Sequence, residues 1–371
     1  MIWKNKEEDM RVSDVKVTID GKKVTVEKGT TVLKAAKKLG IEIPHLCYRD
    51  DLAPFSGCRI CVVEVEKVKN LVASCSYPVA EGMVVYTDTP RVQKARRLVM
   101  ELLLSDHPYD CMTCEKSGDC KLEKYAYQMG VTTSRFKGEK HTYPADLSNP
   151  FFERDYNKCI LCGRCVTVDN QVQHAEAIDF IGRGFDMKPG AAFDRPLQDD
   201  ISTCVFCGQC VGVCPTGALM DKSRRFQGRE WELKKVRTIC SFCGVGCNIE
   251  LNVKDGKVVN VSSWKDSPVN QGSLCVKGRY GFDYIHHADR LVAPLLRKGA
   301  KGEPTGDFEK TSWDDALTLI AKKLKEIKDK YGAESIGFLS SAKCTNEENY
   351  LLQKFARAVV GTNNVDHCAR L

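Results

Sequence analysis

The sequence predicts an α+β multidomain protein built around several metal sites, and three observations predict it. Most of its 20 cysteines fall in tight groups with two or three residues between neighbours. The chain opens with two alternating apolar runs followed by a short amphipathic segment. After residue 312 the pattern changes to long helical periodicity around one short apolar run. With 371 residues, 43% of them hydrophobic, there is material for two to four compact domains. A disulfide framework would scatter its cysteines, whereas this spacing is that of metal ligands.

Taken in order, Val15, Val17 and Ile19 alternate, Asp20 and Gly21 supply a turn, and Val24 and Val26 alternate again, which makes a β-hairpin. A short helix follows. Thr30 or Thr31 caps it, Val32, Ala35, Ala36 and Leu39 share one face, and Gly40 stands where a left-handed residue closes a helix. Over residues 91–104, Val92, Ala95, Val99, Leu102 and Leu103 recur at helical spacing and lead into a second cysteine group. Residues 121–155 read as a connector. Two C-x2-C-x2-C units between Asn157 and Leu219, separated by an insertion rich in Gly, Asp and Phe, form an internal repeat. Residues 222–235 read as a basic surface linker. Residues 236–292 set another cysteine pattern in β-rich sequence. Ser312 and Asp315 approximate a capping box, after which Leu317, Ile320, Ala321, Leu324 and Ile327 form one face of a helix ending at Gly332. A buried strand over 336–339 and a helix over 347–360 then begin an α/β domain, which needs more strands than about 70 residues supply.

The charged N-terminus over residues 1–12 has no apolar core and no twin-arginine pair. No uncharged apolar run approaches the roughly 18 residues of a membrane span. A soluble, cytoplasmic protein is therefore expected, in a compartment where thiols stay reduced.

The ligand groups follow from spacing. Cys47, Cys58, Cys61 and Cys75 form C-x10-C-x2-C-x13-C, with Gly57 giving the backbone room to wrap a small cluster. Soft thiolates suit iron–sulfur cores, and four hold a [2Fe–2S] cluster; zinc is the alternative. His107, Cys111, Cys114 and Cys120 form H-x3-C-x2-C-x5-C. Alone, His107 would read as a surface or capping histidine; its place just upstream of three spaced cysteines marks it as a ligand. Cys159, Cys162 and Cys165, then Cys204, Cys207, Cys210 and Cys214, form a two-cluster repeat in which the fourth cysteine of each run serves the other cluster. Cys214 thus completes the first set. The residue that should complete the second is Asp169, and three readings stand: an oxygen ligand to a [4Fe–4S] cluster, a [3Fe–4S] cluster, or substitution by His174. Cys240, Cys243, Cys247 and Cys275 form C-x2-C-x3-C-x27-C, followed by Lys277 and Gly278. The formal charge of +7 counts every cysteine as neutral. Five thiolate-ligated clusters, each about −1 to −2, roughly cancel it, and with no basic and aromatic module beside the charge, nucleic acid is not an expected partner.

These motifs carry a resemblance. The groups over residues 14–220 are similar to the iron–sulfur front of respiratory complex I and of iron-only hydrogenases, which implies a β-grasp 2Fe-2S ferredoxin-like domain over 13–90. It also implies a [4Fe–4S] domain over 91–130 with one histidine and three cysteine ligands, His107 being the histidine, and a two-cluster ferredoxin-like domain over 150–222. Cys275-Val276-Lys277-Gly278 resembles the molybdopterin oxidoreductase family, implying a 4Fe-4S domain over 233–292 in which Lys277 lies between cluster and pterin; the other reading of Lys277 is a solvated surface lysine. The segment from Cys344-Thr345-Asn346-Glu347-Glu348-Asn349-Tyr350 to Asp366 resembles formate dehydrogenase, implying the start of a molybdopterin-binding α/β domain over 293–371. In that family Cys-Ala-Arg precedes the selenocysteine or cysteine that binds molybdenum or tungsten. Here Cys368-Ala369-Arg370-Leu371 ends the sequence, so the expectation is a selenocysteine codon read as a stop, and a fragment that lacks formate oxidation. Cys344 and Cys368 are expected as buried structural thiols.

The resemblance implies a catalytic subunit of a formate dehydrogenase or CO2 reductase. Electrons would pass between a Mo or W bis-molybdopterin guanine dinucleotide centre and a partner through one [2Fe–2S] and four [4Fe–4S] clusters. The implied partner is a flavin NAD(P)H-type subunit or a hydrogenase module, because no G-x-G-x-x-G follows a strand here. The rivals are an iron-only hydrogenase and a non-catalytic electron-transfer subunit of the complex I kind.

Overall fold

A computed structural model describes residues 14–298 and 307–368. The expectations for residues 1–12 and for Ala369, Arg370 and Leu371 lie outside the described residues. The chain divides into two compact units at residues 232 and 233.

In the first unit, β1 (Asp14–Ile19) and β2 (Lys22–Glu27) form the expected hairpin. Asp20 and Gly21 both take positive φ, 47° and 77°, the turn whose twist matches the strands. β3 (Val62–Val65), β4 (Val72–Ala73) and β5 (Val84–Tyr86) complete a mixed sheet in the order β2-β1-β5-β3-β4, with β1 and β5 parallel. α1 (Val32–Lys38) is capped by the Thr31 side chain, which accepts from Lys34 N at 3.4 Å. Its Val32, Leu33, Ala35 and Ala36 pack with Val15, Val17, Ile19, Val63 and Val85 in one core, each large aliphatic contributing about 1.5–3 kcal/mol.

α2 (Pro90–Asp106) starts on a Thr89 cap with proline in its first turn. The buried residues are Val92, Arg96, Met100 and Leu104, one step of four apart. Of the expected stripe, Val92 lies on this line and Val99 and Leu103 pack beside it, while Leu102 is 51% exposed. Arg96 reaches the core because its Nη2 donates to Val62 O at 2.9 Å while its aliphatic stem lies along apolar surface. The expected connector also holds a helix, α3 (Lys121–Gln128), whose Leu122, Tyr125 and Ala126 pack with Met100 and Leu104.

Beyond it, strand Phe152–Arg154 pairs antiparallel with Leu219–Asp221, and five-residue helices Arg164–Val168 and Gln209–Val213 follow the two short cysteine loops. The insertion between them forms a hairpin of Asp179–Ile181 and Lys188–Gly190. Residues 222–232 are held down, since Arg224 is buried against Glu230 at 2.7 Å and Arg225 pairs with Glu153 at 2.6 Å.

The second unit opens with a three-stranded meander, Lys234–Ile239, Asn248–Lys254 and Lys257–Ser263. Helix Trp313–Tyr331 is capped by Ser312 and ends at Gly332 as expected. Its apolar face is not covered: Leu317 is 56% and Ile320 54% exposed. The strand expected to be buried over 336–339 forms at Phe338–Ser340 and, among the described residues, pairs at one edge, in parallel with Val365–His367; Ile336 is buried but Leu339 is 86% exposed. Helix Asn346–Phe355 has a full capping box between Thr345 and Glu348. Among the described residues no helix is long and apolar enough to cross a membrane.

Candidate metal centres

Cys47, Cys58, Cys61 and Cys75 are all buried in the first unit. Their thiols lie close enough to act on one another, Cys58 on Cys47 and Cys75 on both Cys47 and Cys61, and Ser56 Oγ stands 3.4 Å from Cys75 Sγ. The loop that gathers them turns on left-handed residues Ser56 and Arg59, each at φ 57°. A side chain on Gly57 would start 2.5 Å from the Phe55 ring, which would have to shift to admit it. The hydrogen bond with Cys47 and burial push the Cys58 thiol up, while hydrogen bonding with Cys75 pulls Cys61 down.

His107 terminates α2, and its Nδ1 is buried with no hydrogen-bond partner. It shares an open pocket of about 240 Å³ with Cys111 and Cys120. Burial lowers the His107 pKa, which keeps the ring neutral and its lone pair free for a metal. Cys114 is turned toward Gly217, where an added side chain would meet its Sγ at 2.7 Å. It remains near enough for its charge to act on Cys111 and Cys120. Arg229 clasps the loop through Cys114 O at 2.7 Å and Met112 O.

Cys159, Cys162, Cys165 and Cys214 line one small cavity. Burial pushes Cys159 and Cys165 up to about 12 and Cys120 to about 11. Metal binding at these thiols therefore has to displace protons. The two short loops are built alike, with Leu161 and Gly163 at φ 50° and 72°, and Phe206 and Gly208 at 56° and 68°. In the second loop Cys204, Cys207 and Cys210 act electrostatically on one another. Asp169 is brought to this group. It is buried, its Oδ2 accepts from Ala177 N at 2.6 Å and Ile178 N at 3.0 Å, and its charge adds to burial in raising Cys204. His174 is exposed at the end of the same turn.

In the second unit Cys240 N donates to Cys247 O at 2.8 Å, and Cys240 Sγ packs on Gly278. Cys243 and Cys275 are close enough to act on both Cys240 and Cys247. Cys275 is the N-cap of helix Val276–Tyr280, and Lys277 is exposed beside it. Cys344 is only half-buried and Cys368 is exposed, 3.6 Å from Ser341 Oγ, which corrects the expectation of buried thiols; Cys368 follows strand Val365–His367, whose last two residues are exposed as well.

No three or more His, Cys, Asp and Glu side chains among the described residues converge on a single-ion position. A polynuclear cluster distributes its four ligands over different irons, and the cavity lined by four thiols, with the orphaned His107 Nδ1, fits such a group. Sequence reasoning missed two buried cations among the thiols, Arg154 and Arg164. The signal for Arg154 was its alternation with Phe152, which puts both on the buried face of one strand.

Comparison with known proteins matches residues 13–90 to a 2Fe-2S iron-sulfur cluster binding domain and 96–135 to the NADH-ubiquinone oxidoreductase-G iron-sulfur binding region. Residues 149–220 match the ferredoxin-like domain of NADH-quinone oxidoreductase subunit 3. Residues 233–287 match the molybdopterin oxidoreductase Fe4S4 domain and 290–371 molybdopterin oxidoreductase. The chain is 39% identical to the NADPH-Fe(3+) oxidoreductase subunit alpha of Geobacter sulfurreducens, over 96% of its own length and 40% of the relative's. It is 35% identical to a Bacillus subtilis protein provisionally named a formate dehydrogenase, over 97% of its length and 40% of that protein's. A chain of the NAD+-reducing [NiFe]-hydrogenase is similar in structure, with TM-score 0.54 and 33% identity over 58% of this chain and 90% of that one. The present chain thus spans about 40% of the length of the curated relatives it matches.

Fold and sites together define a multidomain iron–sulfur protein. Within that class its second unit matches molybdopterin oxidoreductase domains, and its first unit matches iron–sulfur domains of the kind found in the NADH-quinone oxidoreductases.

Proposed function

We propose that the chain is the iron–sulfur relay of a formate dehydrogenase or CO2 reductase catalytic subunit. It would work with a Mo or W bis-molybdopterin guanine dinucleotide centre and with a flavin NAD(P)H-type subunit or a hydrogenase module. The observation that carries this reading is that one chain holds gathered thiol groups in its first unit and, in its second, the Cys240, Cys243, Cys247 and Cys275 group with Lys277 beside it. Cys47, Cys58, Cys61 and Cys75 hold the [2Fe–2S] cluster in this proposal. His107 with Cys111, Cys114 and Cys120 holds one [4Fe–4S] cluster, Cys159, Cys162, Cys165 and Cys214 a second, Cys204, Cys207, Cys210 and Asp169 a third, and the second-unit group a fourth. When bound, such clusters accept and release single electrons. The chain's own part is to cover these thiols wholly or in part, apart from the exposed Cys111 and Cys275, to release their protons on loading, and to supply at His107 a neutral ligand in place of an anionic one.

A second reading, an electron-transfer subunit of the complex I kind, is favoured by the matches of residues 96–135 and 149–220 and by the NADPH-linked relative. The full-length protein, purified anaerobically, separates the two by metal analysis and by formate-dependent viologen reduction. Molybdenum or tungsten with formate turnover is the expected result. Full iron with neither metal nor turnover overturns the formate reading and leaves the second.

A further inference from the structure

Two buried arginines stand in the gaps between neighbouring cysteine groups. Arg154 is 5% exposed, on a strand residue whose backbone pairs with Leu219 on one side and Asp146 on the other. Its Nη1 donates to the Tyr156 hydroxyl at 2.8 Å and to Pro189 O at 3.2 Å. Its Nη2 is equally buried and has no partner among the described residues. Arg154 lines the same cavity as Cys159, Cys162, Cys165 and Cys214, and it also feels the charge of Cys210 from the other loop. It belongs to both groups.

Arg164 repeats the arrangement one gap away. It too is 5% exposed; Nη2 donates to Tyr48 O at 2.6 Å, next to Cys47, and Nη1 to Val213 O at 3.3 Å, next to Cys214. Its Nε is buried without a partner among the described residues. The thiols that act on it come from both groups, Cys162 and Cys214 on one side and Cys47 on the other.

A guanidinium held in the interior with an unused N–H is unfavourable unless an anion meets it. A thiolate-ligated cluster carries net negative charge, concentrated on sulfur, and four cysteines line the cavity that Arg154 enters. We propose that Arg154 is an outer-sphere partner shared by the clusters of the Cys159 and Cys204 groups, its free Nη2 donating to a cluster sulfur and its charge raising both reduction potentials. Arg164 does the same between the Cys47 and Cys159 groups. The direction follows because a cation and a hydrogen bond to sulfur favour the reduced, more negative state. This inference rests on the cluster assignment proposed above.

The test is an EPR-monitored redox titration of the iron-loaded chain with Arg154→Lys, Arg154→Gln and Arg154→Met, alongside iron content. Arg154→Lys keeps the charge and is expected to titrate within threefold of the parent in its reduction equilibrium. Arg154→Gln, which keeps N–H donors and loses the charge, is expected to lower that equilibrium at least tenfold, about 59 mV for one electron. Arg154→Met loses both and is expected to shift at least as far, or to lose iron from these groups. Parent midpoints in both Arg154→Gln and Arg154→Lys at full iron content overturn the proposal, whatever Arg154→Met does. A parent chain that takes up iron but shows no cluster signals overturns the cluster assignment itself, so the two failures are distinct.

Discussion

At Asp169 a single carboxylate serves two purposes that can be separated. Its Oδ2 satisfies the backbone donors of Ala177 and Ile178, while its position beside Cys204 makes it the proposed fourth ligand. Asp169→Ala leaves two buried N–H groups unpaired and is expected to cost about 2 kcal/mol or more, read as a lower denaturation midpoint. Asp169→Asn keeps an oxygen acceptor, so the fold should hold while the EPR signal of the Cys204 group changes; an unchanged signal would reduce Asp169 to a backbone brace. His141 gives a pH prediction. Burial opposes its charge, but Asp106 at 2.5 Å and Phe185 O at 2.6 Å outweigh that and raise its pKa. With the folded value above the unfolded one of about 6.5, its stabilisation is full below that pH and is lost as pH rises through the raised value. Thermal melts should show the parent losing stability over that window relative to His141→Gln. Parallel curves for the two would refute the assignment.

Among the elements, the cysteine loops depend on backbone that only glycine takes without strain. Gly163 has φ 72° and an added side chain would start 3.0 Å from the Phe55 ring, so Gly163→Ala combines strain with a clash. A cost of about 1–2 kcal/mol from the left-handed backbone alone is expected, seen as slower iron loading of the Cys159 group than of the Cys47 group. Equal loading kinetics in variant and parent would argue against it. The opening hairpin and its helix could be read from sequence because Val15, Val17 and Ile19 face one core and Thr31 caps in a standard way. In α2 the apolar stripe shows Val92, Val99 and Leu103 but not Arg96, a buried residue that apolar periodicity cannot count. α3 went unseen because its buried surface is only Leu122, Tyr125 and Ala126, too brief for a repeat. In the site, the C-x2-C-x2-C spacings named the thiols that line the Cys159 cavity, Cys214 among them. Spacing says nothing of side chains that ligate nothing, so Arg154 and Arg164 emerged only with the fold.

Over the whole molecule the thiols are sheltered unequally. Cys47, Cys58, Cys61 and Cys75 lie in the interior, most of the remainder are partly covered, and Cys111 and Cys275 are exposed. Sulfur oxidation follows thiolate character and access. A purified, iron-loaded sample opened to air is therefore expected to decay in sequence, with the His107 and Cys240 groups bleaching first and the Cys47 group last. Timed Mössbauer spectra would resolve that order, and simultaneous loss of all signals would contradict it. The chain weathers from the outside inward, so a stored sample keeps its sheltered [2Fe–2S] spectrum after its outer stations have gone. Colour alone would then overstate how much of the wire is still intact.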